Sequence, residues 1–247
     1  MRLSWAVAGW MAPVALMLLL VTSNVRFAAN SITVYEVLFE RNHVVERTGI
    51  DEEGLLQVGR DIQDYFGSDT EPLRVSAEVF GVERELFGAD EVSHMADVKQ
   101  LFLKTYRVQW LSGLFLLVVA VLYALRDRQA ALYTYTVWVR RGAVITVAGI
   151  LAVGLASVVA FDAVFNAFHL LGFPQGNFLF DSSTDYLVRV FPLGFWEDMT
   201  FFIGILTIVE SAVLFGLGLL AQRMVWASAP EAPAVASRNQ GLRIRRR

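Results

Sequence analysis

Four long apolar runs constrain this chain more than any other feature. They are Trp5 to Thr22, Val108 to Leu125, Gly142 to Phe161 and Met199 to Ala221. Each approaches the roughly 20 residues a helix needs to cross about 30 Å of hydrocarbon. Lipid offers the backbone no water, so a spanning segment must satisfy its own N–H and C=O groups, and all four runs are read as helices. Composition agrees: 55% of the residues are hydrophobic and the mean hydropathy is +0.49, too apolar for an ordinary soluble domain of this length. The expected class is an all-α membrane protein with four transmembrane helices.

The first run also has some marks of a cleaved signal: Arg2 before it, and small residues at Ala28-Ala29. Its apolar stretch is longer than a signal core and Ala28 follows several residues later, so it is read as a retained anchor.

Charge sets the expected orientation. Arg2 precedes the first run, and Arg126, Arg128, Arg140 and Arg141 lie between the second and third. Arg223, Arg238, Arg243, Arg245, Arg246 and Arg247 follow the fourth. Basic residues stay on the cytoplasmic side, so both termini and the segment 126–141 are expected there. The segment 24–107 carries sixteen acids against nine bases and is expected outside, as is 162–198, whose one base is Arg189. The expected division is then 1–23, 108–125, 142–161 and 199–222 as transmembrane helices and 24–107 as a small, mainly helical extracytoplasmic domain. A cytoplasmic loop at 126–141, an extracytoplasmic loop at 162–198 and a basic disordered tail at 223–247 complete it.

Within 24–107, Leu55, Leu56, Ile62, Tyr65 and Phe66 recur at helical spacing over 50–66, with Asp51 placed to cap the helix. Residues 73–87 alternate around Gly81 and suggest a short hairpin. From Asp90 the pattern turns helical and runs into the second span.

Some chemistry is excluded. The chain has no cysteine, so it has neither a disulfide nor a thiolate nucleophile. GxSxG, P-loop and HExxH motifs are absent. No cofactor is expected, and no metal site follows from the spacing. The arginine-rich tail points to anionic phospholipid at the inner leaflet rather than to nucleic acid.

Three polar groups stand where apolar runs meet the outer side. Glu91, His94 and Asp97 recur at three-residue spacing. A carboxylate beside an imidazole fixes its tautomer and raises its basicity, which suits a general base, although a solvated helix end would look the same. Asp162, Asn166 and His169 share a helix face at the end of the third span. Such a stripe faces a bundle interior or a water-filled cavity, or else forms an interfacial polar cap. Between Phe178 and Leu187, aromatics alternate with Asp181 and Asp185. Phe173, Phe178, Phe191, Phe195 and Trp196 form either a floor for acyl chains or a plain aromatic belt. Glu210, midway along the fourth run, is read as a carboxyl group hydrogen-bonded between helices.

At these residues the sequence resembles the lipoprotein intramolecular transacylase (Lit) family of bacterial membrane proteins. The matching pieces are Glu91…His94-Met95-Ala96-Asp97-Val98-Lys99 and Phe168-His169, then Phe180-Asp181…Thr184-Asp185…Pro192…Phe195. Phe178 stands where a Trp is expected, and Ser182 where a Pro is. The resemblance implies an enzyme of the bacterial cytoplasmic membrane, with its active site on the extracytoplasmic side. Such an enzyme moves the sn-2 acyl chain of a diacylglyceryl-modified lipoprotein to the amine of its N-terminal cysteine, leaving a lyso-form lipoprotein. It also implies that His94 and His169 are the functional pair. In that reading Asp97 supports His94, while Asp162, Asn166, Phe178, Asp181 and Asp185 bind substrate. The rival readings are another lipid acyltransferase or esterase using the same histidines, and a non-enzymatic membrane protein that binds envelope partners.

Overall fold

The computed structural model describes residues 2–227. Its four longest helices are α1 (Arg2–Ala29), α5 (Ala89–Arg126), α6 (Arg128–Gly172) and α8 (Leu193–Ala227). All four are long and apolar enough to cross a membrane, and the chain is an integral membrane protein. Leu111, Leu114, Leu117, Leu155, Ile205 and Leu217 point outward on these helices, as lipid-facing side chains do. Where the helices meet, small residues let them approach. A Cβ on Gly142 of α6 would stand 2.8 Å from Leu16 and 3.1 Å from the Pro13 carbonyl of α1.

The helices run well past the apolar runs. At 1.5 Å per residue the 38-residue α5 is about 57 Å long, nearly twice the hydrocarbon thickness. The reason is local: Ala89 to Arg107 is helix-forming though charged, and nothing breaks it before Val108. The segment 126–141, expected as a loop, is helical from Arg128, and Asp127 alone connects α5 to α6. Likewise 162–198 is not one loop. α6 continues to Gly172, α7 (Leu187–Val190) follows, and α8 starts at Leu193. Of the expected tail, 223–227 extends α8 and 228–247 lies outside the described residues.

The remaining elements gather at one end of the bundle: α2 (Ile32–Arg41), α3 (Val44–Thr48), α4 (Glu52–Gly67) and the hairpin β1 (Ser76–Val79) and β2 (Val82–Glu85). α4 is the expected amphipathic helix. Asp51 caps it, its Oδ1 accepting from the Gly54 N–H at 2.8 Å, and Leu55, Val58, Ile62, Tyr65 and Phe66 are buried. β1 and β2 pair antiparallel, Val79 opposite Val82, with Phe80 and Gly81 both at positive φ in the turn. Tyr35 and Phe39 of α2 meet Phe191 and Phe195 edge-on or tilted, at centroid distances between 5.6 and 6.1 Å. Phe191 and Phe195 thus belong to this core and are not an open floor for acyl chains.

Two buried polar side chains fasten α5 to this cap. Glu91, 4% exposed, accepts at 2.6 Å from the Gly88 N–H and at 2.6 Å from the Leu187 N–H. Lys99, 3% exposed, donates to the Thr70 carbonyl at 2.8 Å, pairs with Glu71 at 3.2 Å and lies 4.1 Å above the Tyr65 ring. Inside the bundle Asn24 donates from Nδ2 to Glu210 Oε2 at 2.7 Å and to Thr207 Oγ1 at 3.0 Å. Glu210 is therefore the interhelical hydrogen-bonding group its position suggested.

Candidate active site

His94 and His169 come from different helices and meet. α5 carries His94 in its second turn, and α6 carries His169 one turn from its end. Their ring centroids are 6.1 Å apart and their planes differ by 20°. Both rings lie beyond the apolar runs, at the junction of bundle and cap.

Aromatic rings enclose the pair. Phe173 and Phe180 lie 4.7 and 5.4 Å from His94, measured between centroids. Phe165, Phe168, Phe173 and Phe178 lie between 4.1 and 5.4 Å from His169. This apolar shell disfavours a charged imidazole. Burial pushes His94 down to about 4, with His169 nearby adding to the effect and Asp97 and Asn177 partly opposing it. Burial also lowers His169, against the Phe165 carbonyl, which favours the charged ring. The site therefore holds two neutral imidazoles at neutral pH.

Hydrogen bonding selects the free nitrogen of one ring. His169 Nδ1 lies 2.9 Å from the Phe165 carbonyl oxygen. A carbonyl only accepts, so Nδ1 carries the proton and Nε2 of neutral His169 presents a lone pair.

The carboxylates expected beside His94 do other work. Glu91 holds the two backbone N–H groups already described. Asp97 Oδ2 accepts from Gln175 Nε2 and from Asn177 Nδ2, each at 2.7 Å. Neither carboxylate hydrogen-bonds His94. Asp97 instead ties α5 to the loop that follows α6. That loop turns at Phe173, whose carbonyl accepts from the Gly176 N–H at 3.0 Å with Gly176 at φ +80°, which glycine adopts without strain. Gln175 and Asn177 escaped the sequence reading. The Pro-Gln-Gly-Asn cluster signals a turn, but not what its amides reach.

The stripe Asp162, Asn166 and His169 divides. Ala160 leaves helical dihedrals (φ −155°, ψ 67°), and α6 is re-aimed there. Asp162 and Asn166 are exposed, and among the described residues neither makes a side-chain hydrogen bond. Only His169 reaches the enclosed site. Phe178 is half-buried against His169. Asp181 and Asp185 close a turn on themselves. Asp181 Oδ1 accepts from the Ser183 N–H at 2.8 Å, and Asp185 Oδ2 from the Asp181 N–H at 2.7 Å. Arg189 donates from Nε to the Ser182 carbonyl at 2.7 Å and from Nη2 to that of Ser183.

Beside the pair, Phe168, Leu170, Leu171 and Leu179 are exposed and form an apolar rim. A separate cavity of about 660 Å³ opens on another side of α5, lined by Ser23, Arg26, Phe27, Asn30, Ser31, Gly67 and Tyr106. Among the described residues no group of His, Asp and Glu is placed to hold a metal ion.

Comparison with known proteins places this architecture. A curated protein of Aquifex aeolicus, described as uncharacterized, is 25% identical over 148 residues. That alignment takes in 58% of this chain and about 61% of the relative's length. Among solved structures, the membrane integral lipoprotein intramolecular transacylase Lit of Bacillus cereus superposes with a TM-score of 0.78 at 13% identity. The match covers 92% of this chain and 100% of that one. A histidine-to-alanine variant of the same protein gives 0.73 over 90% and 96%. The family model for lipoprotein intramolecular transacylase Lit matches residues 10–196. The chain belongs to the lipoprotein intramolecular transacylase Lit family.

Proposed function

We propose that this chain moves the sn-2 acyl group of a diacylglyceryl-modified lipoprotein onto the free amine of its N-terminal cysteine, using His94 and His169 as acid and base. The observation that carries the reading is the meeting of these two neutral imidazoles in an aromatic enclosure at the rim of an apolar bundle. In the reaction the amine nitrogen bonds to the ester carbonyl carbon, the bond from that carbon to the glycerol oxygen breaks, and one proton passes from nitrogen to that oxygen. No enzyme nucleophile is needed, which suits a chain without cysteine or a serine elbow. Amine and ester belong to one molecule, so holding the reactive conformer supplies much of the rate.

His94 takes the amine proton, and the same proton passes on to Nε2 of His169, which delivers it to the leaving glycerol oxygen, so both rings end neutral as they began. A proton on one ring disfavours a proton on the other at this separation, so the pair carries one proton at a time. The rim of Phe168, Leu170, Leu171 and Leu179 admits the acyl chains, with membrane phospholipid as their surroundings. Phe178 packs against the chain nearest His169, while Asp162 and Asn166 flank the approach. Asp181 and Asp185 shape the loop around the substrate's head. The site faces the extracytoplasmic side of the cytoplasmic membrane, with 24–107 and 162–198 outside. The arginines at 126–141 and beyond residue 222 support that orientation.

Mass spectrometry of lipoprotein N-termini from cells with and without the protein tests the reaction. Cells carrying it should show N-acyl lyso-form termini, and cells with His94→Ala or His169→Ala should not. Unchanged termini in its absence would exclude this substrate. Labelling of cysteines introduced at 126–141 from outside intact cells would reverse the orientation.

A further inference from the structure

The Asn177 amide has only one orientation open to it. Its Nδ2 donates to Asp97 Oδ2 at 2.7 Å, and a carboxylate can only accept, so the NH2 group is fixed on that side. Oδ1 must then point the other way. There it is buried, and among the described residues it has no hydrogen-bond partner. His94 Nδ1 is buried and equally without one. The rings closest to His94, those of Phe173, Phe180 and His169, offer Nδ1 no oxygen. The Asn177 side chain also lies close enough to His94 to act on its ring, so the two orphaned polar atoms, one an acceptor and one able to donate, share one enclosure. Burying either of them without a partner is unfavourable.

We propose that Asn177 is the positioning residue of His94: its Oδ1 takes the His94 Nδ1–H, and Asp97 holds the amide from behind. This rests on the acid/base reading of the histidines and supplies what that reading lacks, the tautomer of His94. With Nδ1 carrying the proton, Nε2 is left as the lone pair that accepts from the substrate amine. The relay runs Asp97, Asn177, His94, with a neutral amide where a carboxylate was expected. A carboxylate directly on Nδ1 would favour the charged ring. The amide orients His94 without charging it. The loop from Phe173 to Phe180 is then part of the site, because its turn at Gly176 delivers Asn177.

Three histidines make the tautomer directly readable. The groups that carry or can gain charge and act on His94 are His169 on α6 and Asp97 on α5 itself. The experiment is ¹⁵N NMR of the full chain in lipid nanodiscs, labelled at histidine, with His43→Gln and His169→Gln variants for assignment. His94 is expected in the Nδ1–H form at neutral pH; finding it as Nε2–H would overturn the proposal. Asn177→Ala should shift His94 toward Nε2–H while His169, bonded to the Phe165 carbonyl, keeps its signal. It should lower kcat by about 10–100-fold with KM little changed. Asn177→Asp places a carboxylate on Nδ1 and should raise the His94 titration midpoint. A midpoint unmoved in that variant would also overturn the assignment. The tautomer is read without substrate, so a wrong substrate assignment would leave this result standing.

Discussion

The His94 and His169 rings lie nearly parallel, with centroids 6.1 Å apart and planes 20° from coincidence, inside a shell of phenylalanines. The shell sets the pH response. An N-terminal amine titrates near 8, whereas His94 stays neutral down to about 4. Burial holds His169 below its ordinary value as well, so from about pH 6.5 upward only the amine changes charge. The logarithm of kcat/KM should therefore rise with unit slope from about pH 6.5 to about pH 8 and then level off. Initial rates on a diacylglyceryl peptide in mixed micelles measure this. A break between about pH 6 and 7 would mean a histidine titrating near its ordinary value and would remove the neutral pair.

Asp97 is held by Gln175 and Asn177, one step removed from His94. His94→Ala should cost about 10² to 10⁴ in rate. Asp97→Asn keeps an acceptor but loses the charge, and its effect should be roughly tenfold, the scale of an outer-shell partner. Comparing kcat for the two variants at one pH decides it. An Asp97→Asn loss as large as that of His94→Ala would make Asp97 a direct participant.

What the sequence displayed was periodicity and exception. The spans, the Asp51-capped helix and the hairpin at Gly81 each follow from a local pattern, and two histidines at the ends of apolar runs stand out against it. Partners did not follow. Steps of three residues turn a helix by 300°, so Glu91, His94 and Asp97 fan across about 120° rather than sharing one line. That fan is why Glu91 reaches Leu187 while Asp97 reaches Asn177. The short helices α2 and α3 were missed although Tyr35, Leu38 and Phe39 keep helical spacing, because ten residues between turns give little periodic signal. The kink at Ala160 has no marker such as Pro or Gly at that position.

Glu91 should matter to the fold more than to the chemistry. Its buried carboxylate accepts two N–H bonds at 2.6 Å, and hydrogen bonds to charged groups contribute about 1.5–3 kcal/mol each. Glu91→Ala should lower the apparent Tm by several degrees, and activity should fall only in step with the folded fraction. Thermal scans by intrinsic fluorescence, run beside rate measurements on the soluble fraction, separate the two. A full-length loss of kcat at unchanged Tm would place Glu91 in the reaction instead.

Glu210 and Asn24 join α8 to α1 within the bundle. Glu210→Gln still offers Asn24 an oxygen and should behave as wild type. Glu210→Leu leaves the Asn24 amide with Thr207 alone and should cost about 1 kcal/mol, the scale of one interhelical hydrogen bond in lipid. Neither should alter the rate of the folded protein. Equilibrium unfolding in detergent gives the first quantity and peptide turnover the second. Abolished turnover in Glu210→Gln would assign the carboxyl group a proton-handling task.

Because α5 is one unbroken helix from Ala89 to Arg126, it works as a ruler standing in the bilayer. The fourteen positions from Val108 back to His94 set the imidazole about 21 Å above the start of the apolar run. Adding a single residue there would lift His94 by about 1.5 Å and swing it by about 100°, out of register with His169. Adding seven would restore the bearing but raise the ring by about 10 Å, out of step with His169 on α6. Reach and bearing are thus coupled in this geometry: no insertion between His94 and Val108 restores one without altering the other.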